Sequence, residues 1–217
     1  MKTKLNRREW LAGTSLLAAS SLLPRTGRAQ SAKSGPSAPA RKQPNLLFFF
    51  PDQMRRQAMG FVGEDPVLTP HVDRFAREGI YLPHATSTFP VCSPWRGMMM
   101  TGRFPCATGI TNNCNSTRPT VYLHRDENCI TDVLHHAGYH IGYIGKWHLT
   151  HPHVPYLPQD NREDNVIWDE FTPKEDRHHI DYWYGYNAYD DHLRPRYWDN
   201  NAQRDGYHYV NVWAPEH

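Results

Sequence analysis

The sequence predicts an α/β fold in which helices flank a mixed, largely parallel sheet. Residues 45–50 form a continuous apolar run between turn-forming residues, which is typical of a strand buried on both faces of a parallel sheet. A second short buried strand is predicted at 139–145. Helical periodicity and helix-ending residues mark three further segments, at 69–79, 93–100 and 130–138.

The composition argues against several function classes. A chain of 217 residues is long enough for one large domain with a core. The formal net charge of +2, from 24 basic and 22 acidic residues, gives no reason to expect a nucleic acid or an anionic membrane as partner. The four cysteines contain no Cys-x-x-Cys pair, so a zinc knuckle is not predicted. An oxidising compartment would permit a disulfide, and the sequence leaves its pairing open.

The first residues have the order of an export signal. Arg7 and Arg8 precede a modest apolar run at 11–23, and small residues follow it. This order predicts a leader over 1–29, and the paired arginines resemble the twin-arginine type. Export machinery is therefore an expected partner, and the expected location is periplasmic or secreted. The apolar run is too short and too rich in Ser and Ala for a stable membrane span; a retained anchor is the alternative.

The folded domain is expected to cover residues 45–217, after a linker at 30–44 that contains almost nothing to bury and is predicted to be disordered. Asp52 and Gln53 follow the first predicted strand at its carboxyl end, where open α/β sheets place their ligand sites. Both side chains offer oxygen, which a hard cation such as Ca²⁺ prefers. An ordinary strand-to-loop turn is the alternative.

Two of the predicted helices have clear boundaries. The helix at 69–79 begins with Thr69 as its cap and ends at Gly79, and the helix at 130–138 closes at Gly138. The first helix is expected to serve packing, through an apolar face formed by Val72, Phe75 and Ala76.

The third predicted helix follows a cysteine. Ser93 suits its N-cap and Pro94 its first turn, so Cys92 is expected just ahead of the helix N-terminus. Free backbone N–H groups and the helix dipole favour an anion at that position. A lone cysteine is more commonly a buried structural thiol, which is the alternative.

The segments after the second predicted strand carry further candidates. The run Gly-Lys-Trp-His-Leu at 145–149 arrives at a strand end, so its lysine and histidine are predicted to be functional. Four later histidines suit either metal ligands or loop residues without a fixed partner, and they are expected to face solvent: His151, His153, His178 and His179. An aromatic cluster suits either carbohydrate stacking or core packing: Tyr182, Trp183, Tyr184, Tyr186 and Tyr189.

Three of these motifs together resemble one enzyme family. The segment Cys92-Ser93-Pro94-Trp95-Arg96, followed by an apolar stretch and Thr101-Gly102-Arg103, resembles the signature of the formylglycine-dependent sulfatases. The run 145–149 and the pair Asp52-Gln53 resemble two further segments of that family, in the same order. The resemblance implies a sulfatase, alkaline-phosphatase-like fold. It also implies that a formylglycine-generating enzyme oxidises Cys92 to an aldehyde.

The resemblance also assigns roles. In the family's chemistry, Arg96 would stabilise the formylglycine, Lys146 would contact it and the sulfate, and His148 would hydrogen-bond its hydroxyl and assist proton transfer. The implied ligands of one divalent metal ion, Ca²⁺, are Asp52, Gln53 and the modified Cys92. The implied reaction is hydrolysis of a sulfate ester, with a sulfated carbohydrate as the candidate substrate.

Two other functions fit the same motifs. Related hydrolases of the superfamily cleave phosphonate monoesters or phosphodiesters, and a truncated remnant would bind without turnover. The family's catalytic domains are longer than residues 45–217, and its later metal ligands are not identified here. The chain is therefore expected to be the N-terminal part of such a domain, incomplete at its C-terminus and inactive alone.

Overall fold

The computed structural model describes residues 43–157, 165–188 and 194–209. The predicted leader at 1–29, nearly all of the predicted linker at 30–44, and Tyr189 lie outside these ranges. The chain divides into two compact units, Met1–Phe50 and Pro51–His217. Within the described ranges, no helix has both the length and the apolar character that crossing a membrane requires.

The second unit contains short helices followed by short strands. The helices are α1 (Pro70–Glu78), α2 (Cys92–Thr101), α3 (Pro105–Thr108) and α4 (Ile130–His136). The strands are β1 (Gly142–Lys146), β2 (Tyr182–Tyr186), β3 (Arg196–Tyr197) and β4 (His208–Tyr209). Single turns of 3₁₀ helix occupy Arg56–Ala58, Gly60–Val62 and Lys174–Asp176.

The described strands form two separate two-stranded sheets, one parallel and one antiparallel. Strands β1 and β2 are parallel, with Gly142 opposite Tyr182 and Lys146 opposite Tyr186, whereas β3 and β4 are antiparallel. An antiparallel bridge between Gly185 and Trp198 continues the pairing from β2. A Cβ atom on Gly185 would lie 2.8 Å from the carbonyl oxygen of Gly145, so a glycine here permits the close approach of β1 and β2.

The prediction of a buried strand at 45–50 is wrong for this structure. The segment is extended, but no strand pairs with it among the described residues, and Leu47 and Phe49 are 92% and 85% exposed. An apolar run forms a central strand only where neighbouring strands supply hydrogen bonds and helices cover both faces. Residues 45–50 have the composition of a central strand, but the described residues provide no neighbouring strand for them.

Helix α1 confirms the predicted boundaries, and polar contacts hold it in place. Thr69 Oγ1 accepts a hydrogen bond from the Gly60 amide at 2.7 Å and donates one to Asp73 Oδ1 at 2.6 Å. The Phe61 amide also donates to Asp73 Oδ1, at 3.0 Å. The predicted packing face is largely open, because Phe75 is 76% exposed. Helix α1 is therefore fixed at its N-terminus by hydrogen bonds to the preceding turn.

The core joins α2, β1 and β2 with the loops between them. Its buried members are Met100, Ile110, Leu123, Cys129, Trp147, Leu149, Ile180 and Trp183. The ring of Tyr143 stacks on Trp183 at a centroid distance of 5.2 Å, and Trp147 meets Trp183 edge-on at 5.5 Å. Core packing is therefore the role of Trp183, and the indole rings fix the end of β1 on which Lys146 stands.

Ser93 joins α2 to the segment after β1. Sequence reasoning assigned Ser93 as the helix N-cap, but the N-cap is Val91 and α2 begins at Cys92. The buried Ser93 hydroxyl donates to the carbonyl oxygen of His148 at 2.6 Å and accepts from the Cys114 amide at 3.1 Å. One side chain thus satisfies two buried backbone groups from different segments.

We expect Ser93→Ala to lower the free energy of unfolding by about 1–3 kcal/mol, because it leaves the Cys114 amide and the His148 carbonyl without their partner. Urea denaturation followed by tryptophan fluorescence measures the change. Ser87→Ala, at an exposed position, is the matched control and should stay within about 0.5 kcal/mol of the parent chain. Equal unfolding midpoints for the two variants would show that Ser93 does not bridge these segments.

Candidate active site

Cys92 and Arg96 lie on the same face of α2, because residues four apart in a helix are neighbours. Cys92 is half-buried and not in a disulfide. Its Sγ lies 3.8 Å from Nζ of Lys146, the last residue of β1. One of the free N–H groups at the start of α2 already has a protein partner, since the Ser93 amide donates to Asn113 Oδ1 at 3.0 Å. The positive group beside Cys92 is therefore chiefly the Lys146 ammonium.

Arg96 connects three segments around this cysteine. The residue is 4% exposed, and its Nη2 donates to Asp52 Oδ2 at 2.7 Å. Its Nη1 donates to the Lys146 carbonyl oxygen and lies 3.4 Å from the Tyr143 hydroxyl. The guanidinium therefore fixes the end of β1 and the Asp52 segment against α2.

Two cationic side chains lie beside the Asp52 carboxylate. Its Oδ2 lies 2.7 Å from Arg96 Nη2 and 3.5 Å from Lys146 Nζ. Burial of the carboxyl opposes ionisation, but the charges of Lys146 and Arg96 outweigh it and hold the pKa of Asp52 below its ordinary value. Among the described residues, two cations and one carboxylate thus lie beside Cys92. This arrangement favours an anionic group at that position.

His148 is buried, and its backbone carbonyl oxygen accepts the hydrogen bond from the Ser93 hydroxyl. Its backbone has φ 52°, a left-handed conformation, and its Nε2 lies 3.3 Å from the Cys114 carbonyl oxygen. Burial, reinforced by the charges of Lys146 and Arg96, lowers the pKa of His148 to about 3. The imidazole is therefore neutral near pH 7, so Nε2 donates to the carbonyl. Its Nδ1 is buried and has no hydrogen-bond partner among the described residues.

The structure brings together four of the predicted site residues, namely Asp52, Cys92, Arg96 and Lys146. It gives His148 no hydrogen bond to Cys92 within the described part of the chain, and the Gln53 side chain is exposed. Neither side chain therefore contacts the cluster through a hydrogen bond in this conformation.

Two contributors to the site carry no sequence signal of their own. Tyr143 donates its hydroxyl to the Lys146 carbonyl oxygen, and burial raises the pKa of this tyrosine to about 12. Asn113 accepts the Ser93 amide hydrogen. Tyr143 reads as an ordinary strand residue and Asn113 as a loop residue, because their partners on α2, Arg96 and Ser93, are 47 and 20 positions away.

The comparisons with known proteins agree with one another. The Sulfatase family model matches residues 44–216. The Endo-4-O-sulfatase of Bacteroides thetaiotaomicron is 42% identical over 191 residues, which are 81% of this chain and 37% of that protein. The Ulvan-active sulfatase of Formosa agariphila is 33% identical over 159 residues, which are 73% of this chain and 27% of that protein.

A solved structure gives the same assignment. The crystal structure of a Bacteroides fragilis protein described as a sulfatase superposes with a TM-score of 0.75 at 47% identity. The match covers 84% of this chain and 40% of that one. The chain thus spans about two-fifths of the length of the endo-4-O-sulfatase and of this solved structure. The family match covers well over half of the sequence, and the chain therefore belongs to the sulfatase family.

Proposed function

We propose that this chain carries the nucleophile and its positive surroundings in a sulfuric ester hydrolase, with a sulfated carbohydrate as substrate. The observation that carries the proposal is the position of Lys146 Nζ, which lies 3.8 Å from Cys92 Sγ. The same ammonium lies beside the Asp52 carboxylate, to which the buried Arg96 donates a hydrogen bond. The names of the relatives, an endo-4-O-sulfatase and an ulvan-active sulfatase, support a carbohydrate sulfate as the substrate class.

The nucleophile in this proposal is formylglycine made from Cys92 by a formylglycine-generating enzyme. When hydrated, such an aldehyde supplies one hydroxyl for attack on sulfur and a second whose deprotonation releases sulfate. The half-buried position of Cys92 at the start of α2 suits a group that must meet both solvent and substrate. Export through the twin-arginine route to the periplasm belongs to the same proposal and is supported by the leader pattern at 1–29.

The cationic residues have separate tasks. Lys146 is 10% exposed and reaches the position of residue 92, so its ammonium offsets negative charge on a sulfate oxygen held there. Arg96 makes polar contacts with protein atoms of β1 and of the Asp52 segment, so it holds Lys146 and Asp52 in position. His148 is neutral, and its Nε2 donates to the Cys114 carbonyl oxygen, so Nδ1 is the ring atom that remains to accept a hydrogen bond or a proton.

A calcium site fits the donors at Asp52 only in part. The carboxylate is ionised and 42% exposed, and the neighbouring Gln53 adds an amide oxygen, which suits a hard divalent cation. We propose that Asp52, Gln53 and the modified residue 92 hold Ca²⁺. The ion takes 6–8 oxygen ligands, so water, substrate or further protein groups complete the set. When bound, it would offset charge on the sulfate oxygens.

The function is tested with the mature protein on matched aryl sulfate and aryl phosphate diester substrates. We expect the sulfate to be hydrolysed with the larger kcat/KM. A preference for the diester would instead support the phosphodiesterase alternative, and no turnover of either by a protein with aldehyde at residue 92 would support a non-catalytic remnant.

Lys146→Ala should lower kcat for the aryl sulfate by roughly 10²–10³-fold, the loss typical of removing one preorganised donor from a developing negative charge. Lys174→Ala, which removes an exposed lysine from a 3₁₀ turn, is the control and should leave kcat unchanged. Equal kcat values for the two variants, with equal thermal stability, would remove Lys146 from the reaction.

Removal of calcium should abolish turnover of the aryl sulfate. Dialysis against a chelator followed by readdition of Ca²⁺ should restore the rate, because Asp52 and Gln53 offer only hard oxygen donors. Asp52→Asn should require a higher Ca²⁺ concentration for half-maximal rate. A rate that the chelator leaves unchanged would contradict the calcium proposal.

A further inference from the structure

A second group of ligand-type side chains lies at the beginning of α4. Cys129, Asp132 and His178 are all buried, and one ligand atom from each lies within 4.8 Å of the others. The group shares no residue with the candidate active site. Thiolate, carboxylate and imidazole are the sulfur, oxygen and nitrogen donors found in zinc sites.

The group joins two distant parts of the chain. Nδ1 of His178 lies 3.2 Å from Asp132 Oδ2, and Nδ1 of His179 lies 2.7 Å from Asp132 Oδ1. Both histidines have left-handed backbones, with φ 46° and 57°, a conformation that costs roughly 1–3 kcal/mol for a residue other than glycine. The fold thus holds two imidazoles against one carboxylate. The expectation that both histidines face solvent is wrong for His178, because this carboxylate holds its ring in the interior.

Hydrogen bonds within the group leave His178 incompletely satisfied. Its side chain is 3% exposed, and its Nε2 is buried without a hydrogen-bond partner in the described part of the chain. If Nε2 carries the ring proton, Nδ1 directs a lone pair at the Asp132 carboxylate, and two acceptors face each other. If Nδ1 carries the proton, the Nε2 lone pair is buried and unpaired. A cation between imidazole and carboxylate relieves the first arrangement.

Charge balance favours a divalent cation. Cys129 is fully buried and not in a disulfide. Coordination of a divalent cation would displace the proton of the Cys129 thiol to solvent, and one thiolate, one carboxylate and a neutral imidazole would bring the site to a net charge of zero.

We propose that Cys129, Asp132 and His178 bind one divalent transition-metal ion of the Zn²⁺ class. Water fills the fourth position of a tetrahedral site. His179 donates to the other oxygen of Asp132 and orients that ligand, as hydrogen-bond donors behind metal-binding carboxylates do. Calcium is a poor occupant, because the group offers sulfur and nitrogen rather than 6–8 oxygens.

Cobalt spectroscopy on the reduced, metal-free 217-residue chain tests this proposal directly. Co²⁺ is titrated in excess Ca²⁺, so that hard oxygen sites are already filled. We expect one equivalent to give a near-ultraviolet thiolate-to-cobalt band and intense tetrahedral d–d bands, both of which Zn²⁺ displaces. The weak spectrum of octahedral Co²⁺ without a thiolate band would overturn the proposal, even if every variant below failed to fold.

Variants locate the site within the chain. Cys129→Ser should abolish the thiolate band. His178→Gln should weaken Co²⁺ binding by more than about 100-fold, because a loss of about 100-fold is the upper limit for a group that only orients a metal ligand. Cys92→Ser and Cys106→Ser should keep band and affinity, since both cysteines lie outside the group. A band that survives Cys129→Ser and disappears with Cys92→Ser would place the metal at the active-site cysteine and refute the proposal. No readout depends on sulfatase activity.

Discussion

The buried guanidinium of Arg96 is the contact on which the candidate active site depends. A charge that is 4% exposed is costly unless it is paired and hydrogen-bonded. Asp52 supplies the opposite charge, and the Lys146 carbonyl and the Tyr143 hydroxyl accept further hydrogens. These partners come from β1 and from the Asp52 segment, so satisfying one side chain of α2 fixes the relative positions of three chain segments.

The position of Lys146 follows from that constraint. Its backbone carbonyl is held by Arg96, and the buried rings of Trp147 and Trp183 fix the strand end from the other side. The side chain then lies between Cys92 and Asp52, at 3.8 Å and 3.5 Å. Ser93 ties the next turn of chain to the same helix through the His148 carbonyl. Stability and chemistry therefore use the same contacts, and these contacts hold the Lys146 ammonium beside Cys92.

Features that depend on local sequence could be predicted. The boundaries of α1 follow from Thr69 and Gly79, and the four-residue spacing of Cys92 and Arg96 places both on one helix face. The short strand before Lys146 is present, although it begins at Gly142 rather than Tyr139. These elements are determined by capping, periodicity and turn residues, which act within a few positions.

Features that depend on distant partners could not be predicted. The apolar run at 45–50 has the composition of a central strand, but composition does not supply the strands that must pair with it. Ser93 looks like a helix cap because its sequence neighbours suit one, whereas its hydroxyl bonds to residues 114 and 148. His178 looks like a loop histidine because its partner, Asp132, is 46 positions away.

The central claim is that the cationic cluster surrounds a converted cysteine, and the mass of the residue-92 peptide from the native, exported protein tests it most directly. The digest is treated with a thiol-alkylating reagent, and the peptide with Cys106 is the internal control for a free, exposed thiol. The account predicts an unalkylated peptide in which an aldehyde replaces the CH₂SH group of residue 92. An alkylated thiol at residue 92 in every copy, from cells that contain the formylglycine-generating enzyme, would contradict it.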